Sequence, residues 1–264
     1  MKLGVIGYGV VGDALVYALQ KKGFDGEFVI IDPQKSDRVL HDVKETDMAF
    51  ICVPTPALPS GAQDISIMRD VCTQLQAMGY CGTTIIKSTT TPTHVSYLQH
   101  ACPGLTFVTN PEFLTQRTAR ADYLASPHIV IGGTPADCEP LVRLYLKYWP
   151  DSKYTLVSLQ AGMFIKYMLN SFFATKVSFM NEMNALWAKL GSGNEWDNII
   201  DGIRRDGRVA DSHLLVPGPD GKPGFGGKCF PKDLQALVDM AVAAGTPANV
   251  LRGALRTNRV VRGA

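Results

Sequence analysis

The sequence predicts an α/β protein: a doubly wound parallel sheet with helices on both faces, followed by an all-helical domain built on one long helix. Three observations carry that expectation. Short β-branched runs alternate with amphipathic stretches over residues 1–157; the runs Phe28-Val29-Ile30-Ile31 and Met48-Ala49-Phe50-Ile51-Cys52-Val53 are apolar at every position; and beyond about residue 158 the strand signal stops. Strands apolar on both faces belong in a parallel sheet covered on both sides. Strand, helix, strand order with right-handed crossovers then gives a doubly wound sheet.

Strands are expected at 2–7, 28–32, 48–53, 83–88, 106–109 and 128–132, and helices at 10–22, 65–78, 92–101 and 135–148. In the second half, Phe164, Met168, Phe172, Phe179, Met183, Leu186 and Leu190 recur at helical steps and mark one face of a helix over 159–190. That spacing is what a helix buried along one face requires, so the stripe reads as core. Shorter helices are expected at 195–205, 231–244 and 248–261, with a Gly/Pro-rich loop at 216–227. The division is 1–157 and 158–264.

Composition sets the outer bounds. At 264 residues the chain has room for one large domain or two ordinary ones, and 46% apolar with 19% charged residues excludes disorder. Lys plus Arg number 26 against 24 Asp plus Glu, which leaves no global field to draw the protein to nucleic acid or an anionic membrane. No apolar run reaches the roughly 18 residues that span a bilayer, and Met1-Lys2 leads straight into a strand pattern, so a cytoplasmic protein is expected. Six cysteines without CxxC or Cys/His clustering fit reduced thiols and no metal.

Gly7-Tyr8-Gly9-Val10-Val11-Gly12 directly follows the first strand and opens the first helix, the context in which GxGxxG carries weight. Gly7 permits the tight turn, Gly9 lets a pyrophosphate approach the backbone and Gly12 lets the helix pack on the sheet, while the helix N-terminus offers N–H groups to the phosphates. This is a Rossmann signature. Asp32, 20 residues after Gly12, is placed to accept hydrogen bonds from ribose hydroxyls and to repel a 2′-phosphate, which favours NAD over NADP.

Two further groups carry chemistry. Lys166 and Asn170 lie one helical turn apart, and the Lys is crowded by Phe164, Ile165, Tyr167, Met168 and Leu169, as a paired or functional lysine would be; a solvated helix face is the alternative. In the stretch 224–233, Gly-Phe-Gly-Gly-Lys-Cys-Phe-Pro-Lys-Asp, Pro231 suits the first turn of a helix. This puts Cys229 at a helix N-terminus between Lys228 and Lys232, conditions that favour a thiolate. A buried small Cys and a first-turn Asp233 serving the helix dipole are the plainer alternatives.

In order, GYGVVG at 7–12, FICVPTP at 50–56, KST at 87–89, NPEFL at 110–114, Lys166 with Asn170 inside KYMLNSFFATKVSFMNE, DGR at 206–208 and GFGGKCFPKD at 224–233 resemble the UDP-glucose 6-dehydrogenase family, with its UDP-N-acetylmannosamine and GDP-mannose relatives. The resemblance implies a four-electron oxidation of a primary alcohol to a carboxylate with two NAD. Cys229 would attack the aldehyde to give a thiohemiacetal and then a thioester, Lys166 and Asn170 would stabilise the oxyanion, Asp233 and Thr89 would position water and protons, and Glu112 would act as acid or base. It places NAD on residues 7–12, Asp32, Val53, Pro54, Thr55 and Thr89. The nucleotide sugar falls to Glu112, Phe113, Leu114, Lys166, Asn170, Phe225, Gly226 and Arg208, the last reaching across a homodimer interface. The apolar surface of helix 159–190 also points to a homodimer.

The sequence departs from the family pattern in several places. Gln116 stands where a second glutamate is usual, Lys228 replaces a serine, residues 220–222 lengthen a loop, and the segment 33–52 is short. The resemblance ends in what looks like a connecting helix containing Asn258, ahead of the family's nucleotide-binding C-terminal domain, so a compact form, or one completed at the nucleotide site by a second chain, is expected. Two other readings stay open: a non-catalytic NAD-binding remnant or half of a split enzyme, and a single-step β-hydroxyacid dehydrogenase, which needs the Lys/Asn pair but no cysteine.

Overall fold

The structure, a computed structural model, describes residues 1–58, 61–191, 194–227 and 229–263. It forms two compact units: Met1–Leu58 with Gln63–Lys166, and the remainder from residue 167 onward with 61–62.

The first unit is a seven-stranded sheet of β1 (Lys2–Ile6), β2 (Glu27–Ile31), β3 (Met48–Ile51), β4 (Thr83–Ile86), β5 (Thr106–Thr109), β6 (His128–Gly132) and β7 (Lys153–Val157), in the order β2-β1-β3-β4-β5-β6-β7. Side chains alternate across a strand, and here the alternation fills two cores. Leu3, Val5, Met48, Phe50 and Ile85 enter one, with α1 (Val10–Lys21) and α5 (Pro135–Tyr148); Ile6, Ala49, Ile51 and Ile86 enter the other, with α2 (Ser66–Ala77) and α3 (Pro92–Ala101). Continuous apolar runs follow directly from that double burial.

The sheet departs from the expectation at two places. β5 and β6 run antiparallel and meet through Thr109 and Gly132. Joining two neighbours in parallel takes a crossover that returns along the sheet, usually on a helix, whereas α4 (Ala119–Ala125) has only seven residues and packs against α1, where Arg120 forks onto Asp13 at 2.8 Å. The chain therefore enters β6 from the other end. β7, parallel to β6, lies at the sheet edge and is only half-buried, so it lacks the all-apolar signature used to find the other strands. The end of β5 is pinned to the start of α6 (Leu159–Lys189), Thr109 Oγ1 donating to the Leu159 carbonyl at 2.8 Å.

The second unit holds most of α6, α7 (Trp196–Arg204), α8 (Phe230–Ala243) and α9 (Asn249–Arg262). Here the core reading of the large apolar stripe on α6 is corrected. Phe164, Met168, Phe172, Phe179, Leu186 and Leu190 are 42–64% exposed in the single chain. The buried face instead mixes Met163, Tyr167 and Met180 with the small Ser171, Ala174 and Ser178, which let neighbouring segments approach; the Ser178 hydroxyl donates to the Ala254 carbonyl at 2.9 Å. Large side chains advertise burial by size, but this helix leaves its regular apolar stripe outside and buries a mixed face within the chain.

The 216–227 loop is held from both sides, the Gly224 N–H donating to Asn181 Oδ1 (2.9 Å) and the Phe225 N–H to Asn258 Oδ1 (2.7 Å). Gly224 has φ +72°, and a side chain there would overlap Asn258. Among the described residues, no helix is long and apolar enough to cross a membrane.

Candidate active site

In the first unit the glycine loop is built as a phosphate cradle. A Cβ on Gly7 (φ +92°) would lie 2.7 Å from the Cys52 carbonyl oxygen, and one on Gly12 would overlap the Gly7 carbonyl, so both positions require glycine. Gly9 has no neighbouring atom within 4 Å of its missing Cβ. It is also the N-cap of α1, and no side chain caps that helix, which leaves first-turn N–H groups beside Val10 and Val11 open to an anion. The strand order reverses between β1 and β3, which run parallel with β2 on the far side of β1, and this is the place where open α/β sheets bind ligands at the carboxyl ends of their strands.

Asp32 ends β2. Its Oδ2 accepts from the Tyr8 N–H (2.8 Å) and its Oδ1 from the Gln34 N–H (3.0 Å). Desolvation pushes the carboxyl up, but those N–H donors and the nearby Lys35 charge outweigh it and hold Asp32 below the usual carboxylate range. Each oxygen keeps lone pairs for ribose hydroxyls. Lys35, which sequence reasoning missed, donates to the Tyr8 carbonyl at 2.7 Å. Beyond β3, Val53 and Thr55 are buried and Pro54 is exposed. The Thr89 carbonyl collects the Thr55 hydroxyl and the Gln63 amide, both at 2.7 Å, while the Ser88 hydroxyl donates to the Val53 carbonyl at 2.7 Å, tying 53–55 to 88–89. These residues fit a dinucleotide.

The same unit brings Glu112 and Lys166 together. Lys166 Nζ donates to Glu112 Oε1 at 3.1 Å with side chains 4% and 11% exposed, and it lies 5.4 Å from the centre of the Phe113 ring. The other carboxylate oxygen accepts the Leu114 N–H at 2.6 Å, so Glu112 is held in place by its own loop. Gln116 is exposed.

Sequence reasoning gave no role to the polar network behind this pair. Lys87, fully buried at the end of β4, donates to Asn110 Oδ1 (2.9 Å) and the Asn110 carbonyl (3.1 Å) and sits 4.9 Å from the centre of the Tyr123 ring. The Tyr145 hydroxyl donates to the same Oδ1 at 2.6 Å and meets the Tyr123 hydroxyl at 2.9 Å. Burial pushes the Lys87 ammonium down to about 8. The signal was present: Thr83-Thr84-Ile85-Ile86-Lys87 runs a lysine onto an otherwise buried strand.

In the second unit Cys229 is the exposed N-cap of α8, and none of the six cysteines forms a disulfide. Lys228 lies outside the described residues. One turn into α8, the 1% exposed carboxylate of Asp233 accepts Asn170 Nδ2 at Oδ2 (2.6 Å) and Lys232 Nζ at Oδ1 (2.5 Å). Asn170 and Asp233, 63 residues apart, thus form one unit with Lys232. The Phe225 ring is buried against Ala174, Val177 and Leu234, and a Cβ on Gly226 would meet the Arg262 guanidinium at 2.8 Å. Arg208, 88% exposed, forks onto Asp206 at 2.6 and 2.7 Å.

Residues 34–149 match the NAD binding domain of the UDP-glucose/GDP-mannose dehydrogenase family and residues 160–260 match its central domain. The chain is 32% identical over 225 residues to the UDP-glucose 6-dehydrogenase of Rickettsia bellii (strain RML369-C), which covers 83% of this chain and 50% of the relative. It spans about half the length of the curated relatives it matches. A UDP-glucose dehydrogenase structure from Pyrobaculum islandicum superposes with a TM-score of 0.85 at 24% identity, covering 98% of this chain and 68% of that one. Mycobacterium tuberculosis 3-hydroxyisobutyrate dehydrogenase shares the fold at a TM-score of 0.73 and 20% identity, covering 97% and 91%. With its NAD binding and central domains both matched, the chain belongs to the UDP-glucose/GDP-mannose dehydrogenase family.

Proposed function

We propose that this chain is an NAD-dependent nucleotide-sugar 6-dehydrogenase that oxidises the C6 alcohol of UDP-glucose to the uronic acid through a thioester on Cys229. The observation that carries the reading is the position of Cys229: an exposed thiol at the N-terminus of α8, one turn ahead of the buried Asp233–Asn170 pair. A helix N-terminus favours the thiolate. A single-step β-hydroxyacid dehydrogenase needs no thiol there.

NAD, held by the glycine loop and Asp32, would supply the hydride acceptor for each of two oxidations. Glu112 takes the hydroxyl proton in the first, and the Lys166 ammonium it holds donates to the developing oxyanion. The Cys229 sulfur then bonds to the aldehyde carbon while the carbonyl oxygen takes a proton, and the thiohemiacetal so formed keeps the aldehyde bound and presents its remaining carbinol hydrogen. Loss of that hydride and of the hydroxyl proton leaves the thioester. Water, positioned by Asp233 and Thr89, adds to the thioester carbon; the carbon–sulfur bond breaks, the acid leaves and the thiol is restored. Asn170, fixed by Asp233, supports the oxyanion at each addition. The exposed apolar face of α6 supports a homodimer, in which Arg208 would serve the partner's substrate.

The test is NADH yield per UDP-glucose with the product identified. Two NADH and UDP-glucuronate are expected. One NADH with aldehyde released favours the single-step enzyme, and NAD binding without turnover, alone or with a second chain supplied, favours the remnant.

A further inference from the structure

Within the second unit, α8 and α9 enclose an open groove of about 570 Å³, a size ordinary for small-ligand sites. Its α9 wall carries Arg252, Arg256 and Arg259. At roughly 1.5 Å rise per residue the first two are about 6 Å apart along the axis and the last two about 4.5 Å, all on one side of the helix. All three are exposed, and among the described residues none has a carboxylate within 4 Å, whereas Arg262 on the same helix is paired with Asp220 at 2.7 Å. The segment 249–262 contains no acidic residue at all, so no neighbour one turn away can neutralise them.

Asp239 is the one carboxylate among the residues lining the groove, and its Oδ1 already holds the Gln235 amide at 2.8 Å. Three guanidiniums against one carboxylate leave the groove cationic. Its remaining wall is apolar, with Val238 buried and Val242 and Leu255 open to it. Guanidiniums grip phosphate oxygens in pairs, and a ladder of them at turn spacing suits phosphate groups joined in a row. We propose that this groove binds a diphosphate group, with the apolar wall available to the nucleoside that bears it. The groove shares no residue with the glycine loop, and the proposal does not rest on the dehydrogenase reading.

Calorimetric titration of the full chain with inorganic pyrophosphate, NAD saturating so that the glycine loop is occupied, tests it. Pyrophosphate is expected to bind, more weakly as NaCl is raised. The triple variant Arg252→Gln, Arg256→Gln, Arg259→Gln should weaken it at least tenfold with unchanged circular dichroism and NAD affinity, and Arg256→Lys should weaken it several-fold by removing the fork. UDP is the second probe. Tighter binding of UDP than of pyrophosphate, lost in the triple variant, supports a nucleotide as the source; equal binding, likewise lost, supports free diphosphate. Wild-type binding no tighter than the triple variant's, or absent at millimolar pyrophosphate, overturns the proposal, as does binding of poly-glutamate where pyrophosphate fails.

Discussion

At the scale of single residues, environment separates groups of the same type. Burial pushes Cys52 and Cys72 up to about 12, while Cys229 is exposed at a helix N-terminus. An alkylating reagent should therefore label Cys229 ahead of the buried thiols, with exposed Cys81 as the internal comparison for exposure alone; Cys229→Ala should abolish acid formation and leave NAD affinity nearly unchanged. A Cys229→Ala protein that still makes acid at the normal rate ends the covalent scheme. Asp32→Ala should weaken NAD binding, and the unaltered protein should prefer NAD to NADP by calorimetry. Lys87 yields a pH prediction. Its ammonium titrates near 8 when folded and near the ordinary lysine value of 10.5 when unfolded, so between those values the unfolded chain holds the extra proton and stability contributed by this group rises with pH. Relative to Lys87→Met, the wild type should gain stability between pH 7.5 and 9.5, by about 2–3 kcal/mol at most, in urea midpoints; a pH-independent difference would show that the buried amine stays charged through that range. The glycine loop, Asp32 and the Cys229 segment stand out in the sequence because each is a pattern of neighbouring residues. The Lys87–Asn110–Tyr145–Tyr123 network was not, because its members come from four separate segments and only tertiary packing assembles them.

At the scale of elements, α6 is the instructive case. Its length was readable from the apolar period, but the period alone does not say which face the chain keeps for itself. A mixed face carrying Ser171, Ala174 and Ser178 is buried, and the regular apolar stripe is left outside. The two faces should therefore respond differently to substitution. Ala174→Leu overfills a close contact and should cost about 1–3 kcal/mol in thermal or urea unfolding. Phe172→Asp with Phe179→Asp should leave the unfolding of the isolated chain little changed and shift light scattering from dimer to monomer; a wild type already monomeric at micromolar concentration with full activity contradicts the dimer. β7 was missed for a related reason, since an edge strand is buried on part of its surface only and does not show the continuous apolar run.

At the scale of the molecule, the doubly wound sheet was legible because both of its faces are covered, a condition that imprints itself on every central strand. The antiparallel meeting of β5 and β6 was not, since nothing in either strand records the direction of its neighbour. That reversal joins the sheet's end to the Glu112–Lys166 pair. Because β6 and β7 bring the chain back to the carboxyl end of β5, α6 starts against Thr109, and the loop after β5 and the first turns of α6 grow from a common anchor. Glu112 lies three residues past that anchor and Lys166 seven residues into the helix, so two charges 54 positions apart in sequence are within bonding reach with short lengths of chain between each and the shared root. Their alignment is thus set by a backbone junction more than by side-chain packing. Loosening the junction, as Thr109→Val would, should misalign the pair and lower turnover while the urea midpoint stays nearly unchanged.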